Sequence, residues 1–448
     1  MFYACGVVLT AWSLSALVEL PGVNLPRHVA FMMAAWVVWV VALRMGFSLP
    51  GTGGRLDLSV IFAIAITMRL VLLSTPPSLS DDVYRSVWDS RLMHAGINPY
   101  AYPPGAPELE SYRDAEIWPR VNHPEQRTPY PPLAEILSAA AYAVAPERLA
   151  AMQALAAIAD LLCAAGLAWL LSRCGMDPRR CVVVAWSPLG ALHFAHSGHN
   201  DALMILAVLA GALALSFGRR WLAMAALGVG TAVKVLPIFM VPAFARVTGL
   251  LAIGAWFVTC VLLALPLVGS APGLALGVLQ EAGTAQFNDS LHLLIQRLVQ
   301  PVFAERASAV ASAIGLLCVA VAGLMSWRVG DRSPRTALVN GSRVIAAYIL
   351  VAPVVEPWYF TWLAPLVAFE LRPAYGRPWF RLGDAPAWLW LSGMVSLTDL
   401  TYLPGGEGLW VTIRAVEYLP AYMILAGALL WKWRSEVGVH RSSRVTGS

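Results

Sequence analysis

Two neighbouring aspartates, Asp81 and Asp82, open the densest charge cluster of the chain. It reads SDDVYRSVWDSR at residues 80–91 and directly follows the apolar run LDLSVIFAIAITMRLVLL. Adjacent side chains on a helix point about 100° apart, so the two cannot face each other across a bond to be cleaved. Glycoside hydrolysis needs a carboxyl pair roughly 5–9.5 Å apart, which neighbours in sequence supply badly. The spacing suits one general base beside a supporting or metal-binding carboxylate. The plainer alternative is a solvated salt-bridge cluster at a helix start, in which Asp82, Arg85 and Asp89 share a face.

Three further places carry chemistry. HFAHSGHND sets His193, His196 and His199 at intervals of three and ends in Asn200 and Asp201. Histidines so spaced can chelate a metal, form the polar end of a span, or face a sugar or an anion; no cysteine stands with them. Lys234 lies deep in the apolar stretch GVGTAVKVLPIF. An ionisable group there faces a cavity or a partner, or snorkels to the interface; at an outer turn it can neutralise a phosphate. The glycines before it lack the G-x-x-x-x-G-K-[ST] spacing of a phosphate loop. Glu356 opens EPWYFTW, an aromatic turn suited to a sugar ring or a lipid, and Asp160 reads as a structural partner inside a bundle.

The elements that must position these groups are apolar. Of 448 residues, 58% are hydrophobic and only 13% charged, against roughly a quarter charged in soluble domains, and the mean hydropathy is +0.66. Long apolar runs between short charged links imply an all-α integral membrane protein. The eighteen tryptophans fit helix ends in the headgroup layer. A net charge of +5 with no dense basic stretch excludes a nucleic-acid partner. The six cysteines are scattered through apolar runs and form neither a disulfide framework nor a zinc pattern. The first run lacks a basic n-region and a cleavage site, and so reads as a retained span.

Hydropathy places spans at 3–20, 28–45, 56–74, 149–172, 182–198, 201–217, 220–233, 235–246, 248–269, 307–327, 342–355, 357–371, 384–399 and 409–431, a bundle of about 12–14 transmembrane helices. With a cytoplasmic N-terminus, the inner links collect Arg44, Arg55, Arg173, Arg179, Arg180, Arg219, Arg220 and Arg246. Later inner links hold Arg328, Arg332, Arg335, Arg343, Arg372, Arg377 and Arg381, and the cytoplasmic tail 432–448 adds Lys432 and Arg434. That is a positive-inside record. It requires PLAEILSAAAYAVAP (132–146) to lie along the outer leaflet as an interfacial helix, and 220–246 to break near Lys234. The chain is then one polytopic domain, 1–448, with outer loops at 75–148 and 270–306. The second loop includes EAGTAQFNDSLHLLIQRL.

The order of these segments resembles the GT-C superfamily of polytopic glycosyltransferases, and within it the bacterial mannosyltransferases that use polyprenol-phosphate-mannose. The resemblance is carried by SDDVYRSVWDSRLMHAGINPY, YPPLAE, GHNDALMILAVLAGALAL, GTAVKVLPIFMVP and EPWYFTWLAPLV, over about residues 56–371. It implies a GT-C-like bundle with interfacial helices in its large first outer loop. It makes an acid of that loop the catalytic base: Asp82 first, Asp81 second. Arg85, His199 and Lys234 are implied as contacts to donor phosphate or sugar, followed by Asp201 and Glu356. It also implies a bacterial inner or plasma membrane, a site facing the periplasm or exterior, and cytoplasmic termini.

No dinucleotide fingerprint, P-loop or soluble domain is present to hold a nucleotide sugar, so a transferred group must come from a donor dissolved in the membrane. The expected reaction passes a sugar, mannose first, from a polyprenyl-monophosphate donor to a glycan or glycolipid acceptor with inversion. No cofactor is required; the adjacent carboxylates are compatible with a divalent metal without demanding one. The competing classes are a lipid-linked sugar transporter or flippase, which calls for internal repeats or charges strung along the spans, and a polysaccharide ligase or polymerase, which calls for more basic residues.

Overall fold

The computed structural model describes residues 1–20, 24–49, 54–270, 286–374, 376–377 and 380–445. Within the expected second outer loop, residues 271–285 therefore lie outside the described residues, as does the end of the tail beyond Val445. Helices α1 (Phe2–Glu19), α2 (Leu25–Gly46) and α3 (Arg55–Leu73) precede the first large loop. That loop carries α4 (Asp82–His94) and α5 (Pro132–Val144), and α6 (Leu149–Arg173) follows it. Next come α7 (Val182–Ala185), α8 (Pro188–Ala191), α9 (Asp201–Ser216), α10 (Arg220–Val233), α11 (Val241–Thr248) and α12 (Ile253–Ala264). After residue 286 run α13 (Leu291–Phe303), α14 (Ala307–Arg328), α15 (Pro334–Val351), α16 (Ala364–Glu370), α17 (Ala385–Met394) and α18 (Trp410–Val445). Among the described residues there is no strand beyond two isolated bridges. This is the all-α membrane architecture that the apolar runs demand, because a lipid-embedded backbone must satisfy its own hydrogen bonds.

Six described stretches are long and apolar enough to cross a membrane: Leu25–Gly46, Arg55–Leu73, Leu149–Arg173, Leu250–Leu267, Leu291–Arg328 and Gly406–Arg434. A seventh candidate is a broken pair, Pro188–His196 with Asp201–Ser216, bent by 120°. Uninterrupted spans are thus fewer than the dozen or more expected, because several apolar runs are broken by their backbone. The run 182–198 divides into α7, α8 and a π turn at Leu192–His196. Its break falls at Ser187–Pro188, where the serine hydroxyl accepts the Gly190 N–H at 3.1 Å and proline begins the new turn. The run 357–371 is a 3₁₀ turn, Pro357–Leu363, continued by α16. Helix α5 has 13 residues, too few to span.

The arginine-bearing links meet at one end of the bundle. Arg44 donates to the carbonyls of Ala374 and Arg377, Arg173 to Ser216, Arg180 to Ala368 and Leu371, and Arg246 to Trp327 and Gly330. Arg335 and Arg343 pair with Glu370, and Arg343 also with Asp384. Several of these are guanidinium caps on carbonyls left free at helix C-termini. Between the two ends, Arg69 of α3 grips Asp160 of α6 at 2.6 and 3.0 Å and donates to the Val184 carbonyl at 3.1 Å. Both side chains are buried, and the pair joins three helices, which gives Asp160 the structural role expected of it.

At the opposite end, the first large loop folds as a cap with its own apolar core of Val83, Val87, Trp88, Leu92, Leu109, Ile117, Val121, Tyr142 and Met152. Arg85 lies beneath it, bonded to Asp89 at 3.0 Å and to the carbonyls of Asn122 and Gln126 at 3.3 and 3.0 Å. Glu135 shares this buried pocket. Thr128 donates to one of its oxygens at 2.8 Å, and the other meets no donor. Burial, and then the charge on Asp89, push the Glu135 carboxyl well above its ordinary value.

The folded chain therefore keeps a proton on Glu135 that the unfolded chain releases above about pH 4.3, so stability declines as pH rises from there toward the raised value. Glu135→Gln, neutral and of the same shape, is expected to flatten that decline. Thermal unfolding in detergent at about pH 5 and pH 8 measures it; a wild-type slope in the variant would refute the protonated state.

Candidate functional site

The site is built from the two places where sequence and backbone break together. After α3 the chain turns at Thr75–Ser80. This turn is stapled by His196, whose Nδ1 meets Thr75 Oγ1 at 2.7 Å and whose Nε2 accepts the Ser78 N–H at 3.1 Å. Gln153 of α6 donates to the carbonyls of both Thr75 and His196, at 3.1 and 2.6 Å. The staple sets the start of α4, with Asp81 as its N-cap residue and Asp82 as its first helical residue. A carboxylate there is favoured by the unpaired N–H groups of the first turn.

The second break, SGHND, bends the chain between the π turn and α9. Gly198 sits at φ +73°, which a glycine adopts without strain, and a Cβ there would lie 3.1 Å from Val83 of α4. This close approach brings His199 against Asp82. His199 Nδ1 lies 3.4 Å from Asp82 Oδ2, and Asn122 Nδ2 donates to Asp82 Oδ1 at 2.7 Å. The imidazole stacks on Trp358, ring centroids 3.6 Å apart at 22°. His193 completes the ring cluster at 5.4 Å from Trp358.

Lys234 occupies the break between α10 and the following 3₁₀ turn, in extended conformation. Its Nζ lies 2.5 Å from Asp201 Oδ1, which also accepts Trp362 Nε1 at 2.8 Å. The ammonium sits 4.9 and 5.0 Å from the ring centres of Tyr359 and Trp362, positions favourable for a cation over aromatic faces. Asp201 is buried, whereas 23% of the Lys234 side chain remains open to solvent. Glu356 begins the same aromatic turn.

Asp82 keeps 28% of its side chain accessible. Burial pushes its carboxyl up, but His199, Lys234 and the Asn122 amide together outweigh that and hold it below the ordinary value. An ionised oxygen beside a cation and two polar donors is what a base at rest requires.

The structure thus gathers Asp82, His199, Lys234, Asp201 and the Glu356 turn at one end of the bundle. Two other candidates stand apart. Asp81 is 43% exposed and pairs with Arg120, which also lies over the Tyr84 ring. Arg85 is buried and bonded to Asp89 and to the carbonyls of Asn122 and Gln126, so that it braces the segment that carries Asn122. Asn122, Arg120, Trp358 and Trp362 were not singled out from the sequence. The two tryptophans stood in the quoted EPWYFTW, whereas nothing in VNHPEQ marks Asn122. Among the described residues no group of three or more His, Cys, Asp or Glu side chains could hold a metal ion. Asp81 and Asp82, which a shared cation would need together, engage different partners.

A protein-family model described as alpha-(1→6)-mannopyranosyltransferase, N-terminal domain, matches residues 8–250. That stretch contains Asp82, Asn122, His199, Asp201 and Lys234; Glu356, Trp358 and Trp362 lie beyond it. No curated protein matches the chain.

Proposed function

As a member of the alpha-(1→6)-mannopyranosyltransferase family, the chain is a membrane mannosyltransferase, and we propose that it draws mannose from a polyprenyl-monophosphate donor. One observation supports this most: Asp82, through His199, and the ammonium of Lys234 come from distant segments to the same Trp358–Trp362 aromatic turn, at the end of the bundle opposite the arginine-capped links. One group can take a proton while the other receives a departing phosphate.

In this reading Asp82 accepts the proton of the acceptor hydroxyl as that oxygen forms its bond to the anomeric carbon. The bond from that carbon to the phosphate oxygen breaks, and its electron pair leaves with the lipid phosphate. Lys234 and His199 stabilise the charge growing there, and Asp201 with Trp362 fixes the ammonium. A single displacement inverts the anomeric centre, so a β-linked donor yields the α-linkage that the family name specifies. The acceptor is a glycan or glycolipid. The positive-inside rule puts the arginine-capped end in the cytoplasm and the site on the outer face of a bacterial inner membrane.

The test is transfer by the purified chain in lipid nanodiscs, with radiolabelled mannose offered either on polyprenyl monophosphate or on a nucleoside diphosphate. Incorporation into a membrane glycolipid fraction from the lipid donor alone is the expected result. Transfer from the nucleotide sugar alone would overturn the donor assignment.

A further inference from the structure

A second buried polar knot lies outside the Asp82 site, where the segment FNDS (287–290) of the second outer loop meets α18. Asn288 is fully buried at φ 47°, a left-handed conformation that asparagine tolerates better than most residues. Its Nδ2 donates to Glu417 Oε2 at 2.8 Å, and Tyr418 donates its hydroxyl proton to the Asn288 carbonyl at 2.9 Å. Asp289, also buried, accepts Arg414 Nη2 at 2.6 Å and lies 3.1 Å from His292 Nδ1. Tyr422 donates to Ser290 at 2.9 Å. Charged and polar groups this deep are retained only when paired, so together they hold the loop in one register against α18.

The residue before the knot meets the segment that leads into the Glu356 turn. Phe287 makes a bridge with the strand-like segment 353–355: its N–H donates to the Pro353 carbonyl at 3.0 Å, and the Val355 N–H donates to the Phe287 carbonyl at 2.8 Å. Its ring packs edge-on against Trp410 at 5.2 Å. Val355 precedes Glu356, and Trp358 follows two residues later as the platform for His199. A continuous path of contacts therefore runs from Glu417 through Asn288, Phe287 and Val355 to the Trp358–His199 stack beside Asp82.

We propose that Asn288, held by Glu417, is a positioning residue for mannosyl transfer, because the knot fixes the Glu356–Trp358 turn on which His199 rests. This depends on the reading of His199 and Asp82 as part of the reacting site. Displacing a supporting group by about an ångström lowers turnover by up to roughly 100-fold without removing any chemical group.

Three full-length variants in nanodiscs test it: Glu417→Ala, Glu417→Gln and Tyr418→Phe. The readouts are mannosyl transfer from polyprenyl-phosphate mannose and hydrogen exchange of the peptide containing Val355. Glu417→Ala is expected to lower kcat about 10- to 100-fold with donor KM little changed, and to speed exchange at Val355. Glu417→Gln is expected to stay near wild type in both, since its amide oxygen still accepts from Asn288. Tyr418→Phe removes one bond to Asn288 and decides the matter if Glu417→Ala does not accumulate. A folded Glu417→Ala or Tyr418→Phe with wild-type exchange and kcat overturns the proposal. A wild-type chain inactive with this donor strikes the donor assignment alone, because exchange at Val355 is read without substrate.

Discussion

Asp82→Asn is expected to reduce mannosyl transfer by about 10²–10⁴-fold, the range over which a positioned general base contributes, while the protein still accumulates in membranes. The substitution changes one atom. The Asn122 amide can still donate to the remaining side-chain oxygen, so the cap formed by the first large loop has no reason to unfold. What disappears is the capacity to hold the acceptor proton while the new glycosidic bond forms. Asp81→Asn is the control. Its carboxylate is paired with Arg120 and open to solvent, where an ion pair is worth about 1 kcal/mol or less, so transfer is expected to stay within a few-fold of wild type.

The same carboxylate is expected to set the acid side of the pH profile. Burial alone would raise it, but His199, Lys234 and Asn122 hold it below its ordinary value. The base form therefore persists to lower pH than in a free aspartate, and the acid limb of kcat/KM is expected below about pH 4. Rates of radiolabelled transfer against pH, for wild type and Asp82→Asn, measure both effects. An Asp82→Asn enzyme with wild-type turnover would remove Asp82 from the role of base.

Lys234→Met is expected to lower kcat by about 10²–10³-fold, the scale on which a preorganised charge at a developing anion acts, with a smaller change in donor KM. The ammonium is framed by Tyr359 and Trp362 and anchored by Asp201 before any donor arrives, so little reorganisation accompanies the reaction. Lys234→Arg is not expected to restore the rate, because a planar fork does not replace a compact point charge in a slot between two rings. Removing Lys234 also leaves the buried Asp201 with Trp362 as its remaining named partner, and the thermal midpoint should fall. The double variant Lys234→Met/Asp201→Asn separates the two effects: it is expected to recover stability and remain inactive. Recovery of activity together with stability would mean that Lys234 acts through folding alone.

The candidate site was legible where backbone and composition change together. The polar run HSGHND between the spans 182–198 and 201–217 announced one break, and Lys234 announced another; both breaks exist, and both lie at the end of the bundle that carries the candidate site. The number of uninterrupted spans was not legible in the same way, since hydropathy averages over a window and does not register where Ser187–Pro188 or the 3₁₀ turn at Pro357 interrupts a helix. Arg85 shows the limit at a single residue. Its position one turn after Asp82 fits a ligand contact as well as a buried strut, and the choice depends on Asp89 and on the fold of residues 122–126.

By itself the sequence determined an all-α membrane protein, the gathering of arginines into one set of links, and Asp82 as a carboxylate at the lip of a span. These follow from properties that act locally along a chain: transfer of apolar side chains into lipid, the cost of burying charge, and helical periodicity. Only the tertiary structure decided that Asp82, rather than Asp81, takes Asn122 and His199 as its partners, with Trp358 as the support for His199 and the adjoining Tyr359 and Trp362 around Lys234. Such partners sit tens to hundreds of residues apart, and which of them meet depends on how whole helices pack.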